Sequence, residues 1–393
     1  MSAYSEAIEH LQQAVARRGI HYSLDRLAAP LATLGNPHLT LPPVIHVAGT
    51  NGKGSTTTLM TSALRACGLK VGTYMSPHLL SYCERMAIDG TPISEDNFCR
   101  YLQMAIAASP TDISSEFELL TLMAFRYFAD THPDVLIVET GLGGRLDATN
   151  VVQPALSVLT PIGMDHQDIL GSDLSSIAAE KSGIIKFGIP VISAQQPDDA
   201  KRVIDATATT RQTTVSYISP WAALPTGFRL KADYQKQNAA VAEAAVTTLL
   251  SQIGHPILGI SQGLSDAFIW GRFTQYRWDT TTITIDGAHN PHGLSALFET
   301  IPCPTTLWMG MLRTKPLAES LATIPQSVQT LFVYCPDPNR WYTPQDYREL
   351  THLLVTEASV TDSLPGHDSD ILITGSLYFI ATLRPLFATL TPL

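Results

Sequence analysis

The sequence predicts an α/β protein of two domains: a larger one built on a mainly parallel, P-loop-type sheet, and a smaller Rossmann-like one that follows it. Three observations support this prediction. The chain has 393 residues, which is long for a single domain. Short apolar runs typical of buried strands alternate with helical stretches along the chain. A glycine-rich turn that carries a lysine joins the first of these strands to a helix.

The first series of elements is predicted in the order strand, helix, strand, helix, strand, strand, strand, helix. The corresponding stretches are "PPVIHVAG", "KGSTTTLMTSALRACG", "KVGTYM", "SEFELLTLMAFRYFADTH", "PDVLIVETG", "ALSVLTPIG", "IPVISA" and "YQKQNAAVAEAAVTTLLSQIG". A polar, aromatic-rich stretch, "WGRFTQYRWDT", then interrupts the pattern. A second series of strands, each followed by a helix, begins after it with "TITIDG", "TTLWMGM", "LFVYC" and "ILITG". We therefore expect a domain boundary near residues 271–276, with domains at 1–271 and 272–393.

Composition excludes several classes of protein. Apolar residues make up 45% and charged residues 15%, which is typical of a globular core. The formal charge is -10 and no basic run stands out, so we expect no nucleic-acid partner. The start of the chain lacks the apolar stretch of a signal peptide, and no apolar run is long enough to cross a membrane. Five scattered cysteines without a Cys-x-x-Cys pair predict free thiols in a reducing cytoplasm.

The stretch "HVAGTNGKGSTTT" has the arrangement of a phosphate-binding loop. Its glycines, Gly49, Gly52 and Gly54, allow close backbone approach to a phosphate, and the following helix adds partial positive charge. Lys53 can reach the β and γ phosphates, and a hydroxyl at Ser55 or Thr56 can meet Mg²⁺. The spacing differs from the common motif because a glycine follows the lysine. The alternative is a glycine turn that caps a helix beside a solvated lysine.

Acidic and imidazole groups follow two other predicted strands. Glu139 comes after a run of four apolar residues, a position where a carboxylate can bind a metal ion. The alternative is an acid at a strand end in solvent. Asp165 and His166 follow another strand, and His166 is either a metal ligand or a structural histidine. Lys181, near the end of a short predicted helix, is ambiguous and could be a surface residue.

Motifs along nearly the whole chain carry a family resemblance. They are "LGNPH", "VIHVAGTNGKGS", "SPHL", "ER", "FELLTLMAF", "ETGLGGRLDATN", "MDHQDILG", "IAAEKSGIIK", "YQKQNAA", "GRF", "DGAHNPH", "GML" and "GSLYFIATLR". In this combination and order the sequence resembles the folylpolyglutamate synthase and dihydrofolate synthase family, a branch of the Mur ligase superfamily. The most specific of these motifs are "GLGGRLDATN" and "DGAHNPH".

The resemblance implies an ATP-dependent ligase that joins a carboxylate to L-glutamate through an acyl phosphate. The implied substrates are ATP, L-glutamate, 7,8-dihydropteroate and reduced folates, with Mg²⁺ as the metal ion. It also implies a carbamate derived from CO₂ on Lys181, a monomer, and a cytoplasmic enzyme. The first domain would bind ATP and the folate, and the second would complete the ligase. We expect a bifunctional enzyme, with a monofunctional folylpolyglutamate or dihydrofolate synthase as the alternative.

The resemblance also assigns site residues. The expected catalytic residues are Lys53, Glu139, His166 and Lys181. The metal ligands would be Ser76, Glu139 and His166, assisted by Ser55. ATP would contact Gly49, Thr50, Asn51, Gly52, Lys53, Gly54, Ser55, Asn238, Arg272, Asp286 and His289. The folate would contact Tyr22, Glu116, Phe117, Glu118, Arg145, Leu146, Asp147 and Ala148.

Some of these assignments have plainer alternatives. Asn238 could be an ordinary residue at a helix start, and Asp286 and His289 could simply cap a helix. Arg272 is either a linker charge or a group that reaches ATP when the second domain closes.

The sequence departs from the family pattern at two places. Many members have an aromatic residue where this chain has Glu116, and a carboxylate does not stack on a pterin as a ring does. Most members have an Asp-Lys-Asp run where this chain has "LRTKP", which retains Lys315 between Thr314 and Pro316.

Two other functions agree with part of the sequence. A cell-wall ligase usually has a third, N-terminal domain, for which about forty residues before the loop are too few. A nucleotide-binding switch without ligase activity would not explain Lys181 or "DGAHNPH".

Overall fold

A computed structural model describes residues 2–16, 23–109, 115–278, 280–301, 306–358, 370–388 and 390–393. The chain forms two compact units that are both discontinuous in sequence. The first unit comprises Met1–Ile162, Ser172–Trp221 and Gln237–Ala267. The second unit comprises Gly163–Gly171, Ala222–Lys236 and Phe268–Leu393. The two units alternate along the chain, so they do not test a single boundary. The boundary predicted at residues 271–272 therefore stays a prediction.

Strands and helices alternate in both units, and the predicted α/β class is confirmed. The strands are β1 (Val44–Ala48), β2 (Val71–Tyr74), β3 (Met86–Ile88), β4 (Thr91–Pro92), β5 (Val135–Glu139), β6 (Leu156–Leu159), β7 (Val191–Ala194), β8 (Val215–Ile218), β9 (Thr274–Trp278), β10 (Thr281–Ile285), β11 (Thr306–Met309), β12 (Thr330–Tyr334), β13 (Leu354–Ala358) and β14 (Ile371–Thr374). The helices are α1 (Ala3–Ala16), α2 (Asp25–Thr33), α3 (Lys53–Ala66), α4 (Glu95–Ala108), α5 (Glu116–Thr131), α6 (Gln167–Leu170), α7 (Leu174–Ser182), α8 (Asp198–Thr210), α9 (Gln235–Ile253), α10 (Ile260–Asp266), α11 (Pro291–Thr300), α12 (Leu317–Leu321), α13 (Pro344–Leu350) and α14 (Leu377–Leu383).

The sheet of the first unit has the strand order β4-β3-β2-β5-β1-β6-β7-β8. Only the β2–β3 and β3–β4 pairs among these neighbours are antiparallel. Strands β1 and β5 lie at the centre, and all of their residues are buried. Their parallel register places Val47 opposite Glu139. The glycine-rich loop after β1 and the carboxylate that ends β5 therefore lie at the same edge of the sheet, where ligands bind in open α/β sheets.

Helix α5 shows how local sequence sets an element. Ser115 and Glu118 form a capping box, in which each side chain accepts a hydrogen bond from the other residue's backbone N–H. The left-handed conformation of His132 ends the helix. Nearly every residue of the middle of the helix is buried, so α5 forms a large part of the first unit's core.

The sheet of the second unit has the order β13-β12-β11-β14-β10-β9. Strand β9 is its antiparallel edge, with Thr274 paired to Ile285. The aromatic-rich stretch that we expected to be a connection thus contributes a strand. Tyr276 of β9 is buried and stacks on Phe387, with the ring centroids 4.8 Å apart. Among the described helices, none is both long enough and apolar enough to cross a membrane.

Candidate active site

The loop between β1 and α3 requires glycine at two positions. Gly49 has a φ of 153°, and a Cβ there would lie 1.9 Å from Thr160 Oγ1. Gly52 has a φ of 85°, and a Cβ there would lie 2.3 Å from Asn238 Oδ1. The loop is also tied down, because the backbone N–H groups of Thr50 and Asn51 donate to the carbonyl of Pro161. These contacts hold the loop against the sheet, with helix α3 beginning at Lys53.

Lys53 folds back over this loop. Its Nζ donates to the carbonyl oxygen of Gly49 at 3.1 Å and lies 4.0 Å from Glu139 Oε1. The Lys53 side chain is only 18% exposed, so the alternative of a solvated lysine is wrong. The ammonium is held where the loop, the first turn of α3 and the end of β5 meet.

Glu139 is 3% exposed, so the alternative of a strand-end acid in solvent is also wrong. Ser55, in the first turn of α3, is 2% exposed, and Ser76 follows β2 in a half-buried position. Carboxylate and hydroxyl oxygens are the ligands that a hard divalent cation prefers, so these residue types fit the expected Mg²⁺. Among the described residues, no group of three or more His, Cys, Asp or Glu side chains is arranged to hold a metal ion. The fourth expected ligand, His166, belongs to the second unit.

Lys181 is buried, and the interpretation of this residue as a surface lysine is wrong. It lies in the last turn of α7 with 5% exposure, and its Nζ donates to the carbonyl of Gly49 at 2.9 Å. Lys53 and Lys181 thus share one carbonyl oxygen. The close approach of Gly183 to Arg145, where a Cβ would lie 2.4 Å from the Arg145 Cα, packs the end of α7 against the segment after β5.

Asn238, in the first turns of α9, is 3% exposed, and its amide lies against Gly52 of the loop. It is therefore more than an ordinary residue of a helix start. The motif "YQKQN" contains Asn238, and its contact with the loop is visible only in the structure.

Asp147 lies in the segment that the resemblance assigns to the folate wall. It is 5% exposed and accepts hydrogen bonds from the backbone N–H groups of Leu142 and Thr149, at 2.8 and 3.0 Å. Burial raises the pKa of Asp147, and these donors oppose the rise. Next to it, Ala148 is buried, Leu146 is half-buried, and the exposed Arg145 pairs with Glu180 at 2.6 Å. Asp147 and Ala148 are thus fixed parts of this segment, whereas the Arg145 side chain lies on its outside.

The start of α5 places three other expected folate residues. The Glu116 carboxylate lies 3.6 Å from the buried guanidinium of Arg85. The Phe117 ring stacks on Tyr74, with centroids 5.8 Å apart, and covers Gly141. The Glu118 carboxylate is engaged in the capping box, so capping accounts for this residue and its folate contact stays a prediction. Tyr22 lies outside the described residues.

In the second unit, Asp286 follows β10 and is 2% exposed. Its carboxylate accepts hydrogen bonds from the Tyr234 hydroxyl and from the backbone N–H groups of Phe273 and Ala288. Burial raises the pKa of Asp286, and the charge of Arg272 opposes that rise. Arg272 therefore faces Asp286 within this unit and is not a free linker charge. Helix α11 is capped by Asn290, so the capping alternative for Asp286 and His289 is wrong.

His289 and His166 also lie in the second unit. The Nδ1 atom of His289 is 2.8 Å from the carbonyl of Gly287, and burial lowers the pKa of His289 to about 4. His166 adopts a left-handed conformation before α6, and its Nε2 lies 3.2 Å from Lys315 Nζ. Lys315 also donates to Asp165 at 2.8 Å. Burial raises the pKa of Asp165, but the charges of Lys315, His166 and His289, with the hydrogen bond from Lys315, together hold that pKa well below its usual range.

Comparison with known proteins identifies the family. A model of the Mur ligase middle domain matches residues 47–244. The dihydrofolate synthase/folylpolyglutamate synthase of Bacillus subtilis is 33% identical, over 93% of this chain and 95% of the relative. The chain belongs to the folylpolyglutamate and dihydrofolate synthase family of Mur ligases. The predicted family and the ATP-dependent ligase class are therefore confirmed, and the cell-wall ligase and nucleotide switch are excluded.

Solved structures agree with this family assignment. The Escherichia coli FolC in complex with DHPP and ADP superposes with a TM-score of 0.87 at 29% identity, over 98% of both chains. A bifunctional folylpolyglutamate synthase/dihydrofolate synthase with Mn, AMPPNP and L-glutamate bound gives 0.86 at 28% identity, over 99% of this chain and 98% of that one. As a member of this family, the protein is a ligase that joins glutamate to a folate.

Four polar residues of this synthase were not selected from the sequence. His46 and Thr149 join Asp147 in a buried chain of hydrogen bonds. Asn290 donates to Asp165, and Tyr234 donates to Asp286. The histidine inside the apolar strand "VIHVA" is the one visible signal, because a buried imidazole requires a partner. The partners themselves lie far away in sequence, so spacing could not identify them.

Proposed function

We propose that this synthase adds L-glutamate to 7,8-dihydropteroate and also extends reduced folates through their γ-carboxylates. The observation that supports this proposal most directly is the corner of the first unit where Lys53, Lys181 and Glu139 surround the glycine-rich loop. This arrangement suits the transfer of a phosphoryl group between anions. The relative solved with DHPP and the bifunctional relative solved with L-glutamate support the two acceptors and the amine donor.

The proposed reaction has two steps. In the first, an oxygen of the acceptor carboxylate forms a bond to the γ-phosphorus of ATP while the bond from that phosphorus to the β-bridging oxygen breaks, which gives an acyl phosphate and ADP. In the second, the amine of glutamate attacks the carbonyl carbon, and phosphate leaves after the nitrogen has lost a proton. Phosphorylation is needed because a carboxylate is a poor electrophile and lacks a good leaving group.

Lys53 supplies fixed positive charge for the first step. Two anions must approach each other, and a preorganised ammonium stabilises the negative charge on the transferring phosphoryl oxygens. The backbone N–H groups at the start of α3 add to this effect. The contact of Lys53 with the Gly49 carbonyl holds its ammonium over the loop before the substrate binds.

We propose Ser55, Ser76, Glu139 and His166 as the ligands of Mg²⁺, which would neutralise phosphate charge when bound. We also propose that Lys181 reacts with CO₂. Its neutral amine would form a nitrogen–carbon bond, lose a proton and become an anionic carbamate. Two lysines share the Gly49 carbonyl, so converting one ammonium to an anion would remove a repulsion between like charges.

Contacts of the nucleotide are proposed for the loop from Gly49 to Ser55 and for Asn238. In the second unit we propose Arg272, Asp286 and His289. The pteridine contacts are proposed for Glu116, Phe117 and the segment 145–148. We further propose that the enzyme acts as a monomer in the cytoplasm.

Release of phosphate tests the proposed function. The protein receives ATP, Mg²⁺, bicarbonate and L-glutamate, with 7,8-dihydropteroate, a reduced folate monoglutamate or no acceptor. We expect release with each acceptor and none without, and mass spectrometry should show one added glutamate. Activity with a single acceptor would establish a monofunctional enzyme instead. Activity with neither acceptor would contradict the proposal.

Isotope transfer tests the acyl phosphate. With ¹⁸O in the acceptor carboxylate, one labelled oxygen should appear in the released phosphate. Unlabelled phosphate would rule out this intermediate. Lys53→Ala should abolish transfer, while Lys201→Ala is the matched control because Lys201 is an exposed lysine of α8 paired with Asp205.

A further inference from the structure

His46, Thr149 and Asp147 form a buried chain of hydrogen bonds in the first unit, which we call the β1 strut. His46 and Thr149 are fully buried, and Asp147 is 5% exposed. The distance from His46 Nε2 to Thr149 Oγ1 is 2.9 Å, and that from Thr149 Oγ1 to Asp147 Oδ1 is 2.5 Å. Burying three polar groups in a core costs free energy unless their hydrogen bonds are satisfied, so this arrangement requires an explanation.

The chemistry of the groups sets the direction of the chain. An ionised carboxylate can only accept, so the single hydroxyl proton of Thr149 is donated to Asp147. The bond between Thr149 and His46 must then be donated by the ring nitrogen Nε2–H. His46 is therefore the neutral tautomer protonated on Nε2. Among the described residues, His46 Nδ1 has no hydrogen-bond partner, as expected for a nitrogen without a proton. Burial, with a contribution from Lys186, lowers the pKa of His46 to about 3.

The β1 strut joins two parts of the site that are far apart in sequence. His46 lies on β1, three residues before Gly49 of the phosphate loop. Asp147 also accepts from the N–H groups of Leu142 and Thr149, which lie on either side of the segment 145–148. One carboxylate thus ties both sides of this segment together, and the strut connects it to the strand that carries the loop.

We propose that His46 and Thr149 are positioning residues for the folate acceptor. By fixing Asp147, they set the backbone of residues 145–148 relative to the phosphate loop, and with it the place of the acceptor carboxylate. This inference rests on the proposed function, which makes residues 145–148 a wall of the acceptor site. A misplaced wall weakens binding and alignment of the acceptor, while the loop that binds ATP keeps its own ties to Pro161.

Substitutions at Thr149 provide the test, because a matched pair exists. Thr149→Val keeps the shape and removes the hydroxyl, whereas Thr149→Ser keeps the hydroxyl. We expect Thr149→Val to raise the KM for the acceptor about tenfold, the effect of one hydrogen bond to a charged group. The KM for ATP should stay within about twofold of the wild-type value. Thr149→Ser should restore most of the acceptor affinity.

Two kinetic outcomes would overturn the inference. An unchanged acceptor KM in Thr149→Val would show that the strut does not position the wall. An equal rise in the KM for ATP would show a general loosening of the sheet. If Thr149→Val fails to fold, His46→Gln and His46→Leu replace it, since glutamine keeps an N–H donor at a similar reach and leucine does not.

An independent readout is the ¹⁵N NMR spectrum of histidine-labelled protein. His46 should show a protonated Nε2 and an unprotonated Nδ1 at neutral pH. A proton on Nδ1 would contradict the direction of these hydrogen bonds.

The failure of this inference and that of the proposed function give different results. Wild-type protein that is inactive with both acceptors would contradict the proposed function. An active wild type with an unaffected Thr149→Val variant would contradict only this inference.

Discussion

Glu139 ends the central strand β5 of the first sheet, and Asp286 follows β10 of the second sheet, yet the structure uses the two carboxylates differently. Glu139 lies 4.0 Å from the ammonium of Lys53, beside the phosphate loop. Asp286 instead accepts two backbone N–H groups and the hydroxyl of Tyr234. Asp286 thus ties its own turn together, whereas Glu139 is the carboxylate that we propose as a metal ligand. The position of a carboxylate after a strand therefore does not determine its role. The groups that donate hydrogen bonds to it do.

The largest expected effect is on catalysis at Glu139. Glu139→Gln should lower ligase turnover by roughly 10²–10³-fold, because the substitution removes the negative charge proposed to bind the metal. The melting temperature should change little, since the glutamine fits the same space. Steady-state kinetics and thermal unfolding measure the two quantities. A large loss of stability with normal turnover would reverse the comparison with Asp286.

The second prediction concerns the proposed carbamate on Lys181, in the same region as Glu139. If an anionic carbamate is the active form, Lys181→Glu should retain more activity than Lys181→Met, and that activity should not depend on CO₂. Wild-type turnover should fall when CO₂ is removed and recover when bicarbonate is added. Assays in degassed buffer check this, with the ¹³C NMR signal of a carbamate as an independent measure. Equal activity of the two variants would speak against the carbamate.

Asp286→Asn should mainly affect stability. The amide nitrogen would face a backbone N–H or the Tyr234 hydroxyl, so at least one buried hydrogen bond is lost. We expect a destabilisation of about 2–4 kcal/mol, seen as a fall of several degrees in the melting temperature of the ligand-free protein. A variant as stable as the wild type would place Asp286 with Glu139 as a carboxylate held mainly for ligands.

Protonation of His46 should have a smaller effect per pH unit on the free energy of unfolding. Its folded pKa of about 3 lies below its ordinary value of 6.5, so the folded state binds fewer protons than the unfolded chain between these values. Stability should therefore fall as the pH drops below 6.5, by about 1.4 kcal/mol per pH unit for this one proton. His46→Gln does not titrate and should flatten the dependence between pH 6.5 and 4. Identical slopes for both proteins would disprove a buried neutral His46.

The smallest expected effect concerns a third carboxylate, Glu116, which is 30% exposed and paired with Arg85. Glu116→Phe restores the aromatic residue that many family members carry. It should lower the melting temperature only slightly, because Glu116 is partly exposed and the buried Arg85 keeps its hydrogen bond to His78. Ring stacking should lower the KM for 7,8-dihydropteroate by about two- to fivefold. A rise in that KM would instead show that the carboxylate itself contacts the acceptor.

The local sequence is enough to predict the alternation of strands and helices, the glycine-rich loop and the acid that ends β5. These features depend on local patterns: runs of apolar residues, glycines where φ is positive, and caps such as Ser115. The pattern did not predict β9, because three of its five residues are polar and it lies at a sheet edge. The motifs for Lys53, Glu139 and Asn238 were sufficient to select the residues that the structure gathers around the loop.

Which side chains become partners depends on the fold of the whole unit. Lys181 could be a surface residue until α7 packed against the segment after β5 and brought its ammonium to Gly49, 132 positions earlier in the chain. His46 and Thr149 are 103 positions apart, and Lys315 and Asp165 are 150 apart. Hydrogen bonds act over about 3 Å, so these partnerships exist only once the fold has closed the distance. Local sequence therefore sets each element, while burial and long-range contact set the ionisation and task of the polar groups they carry.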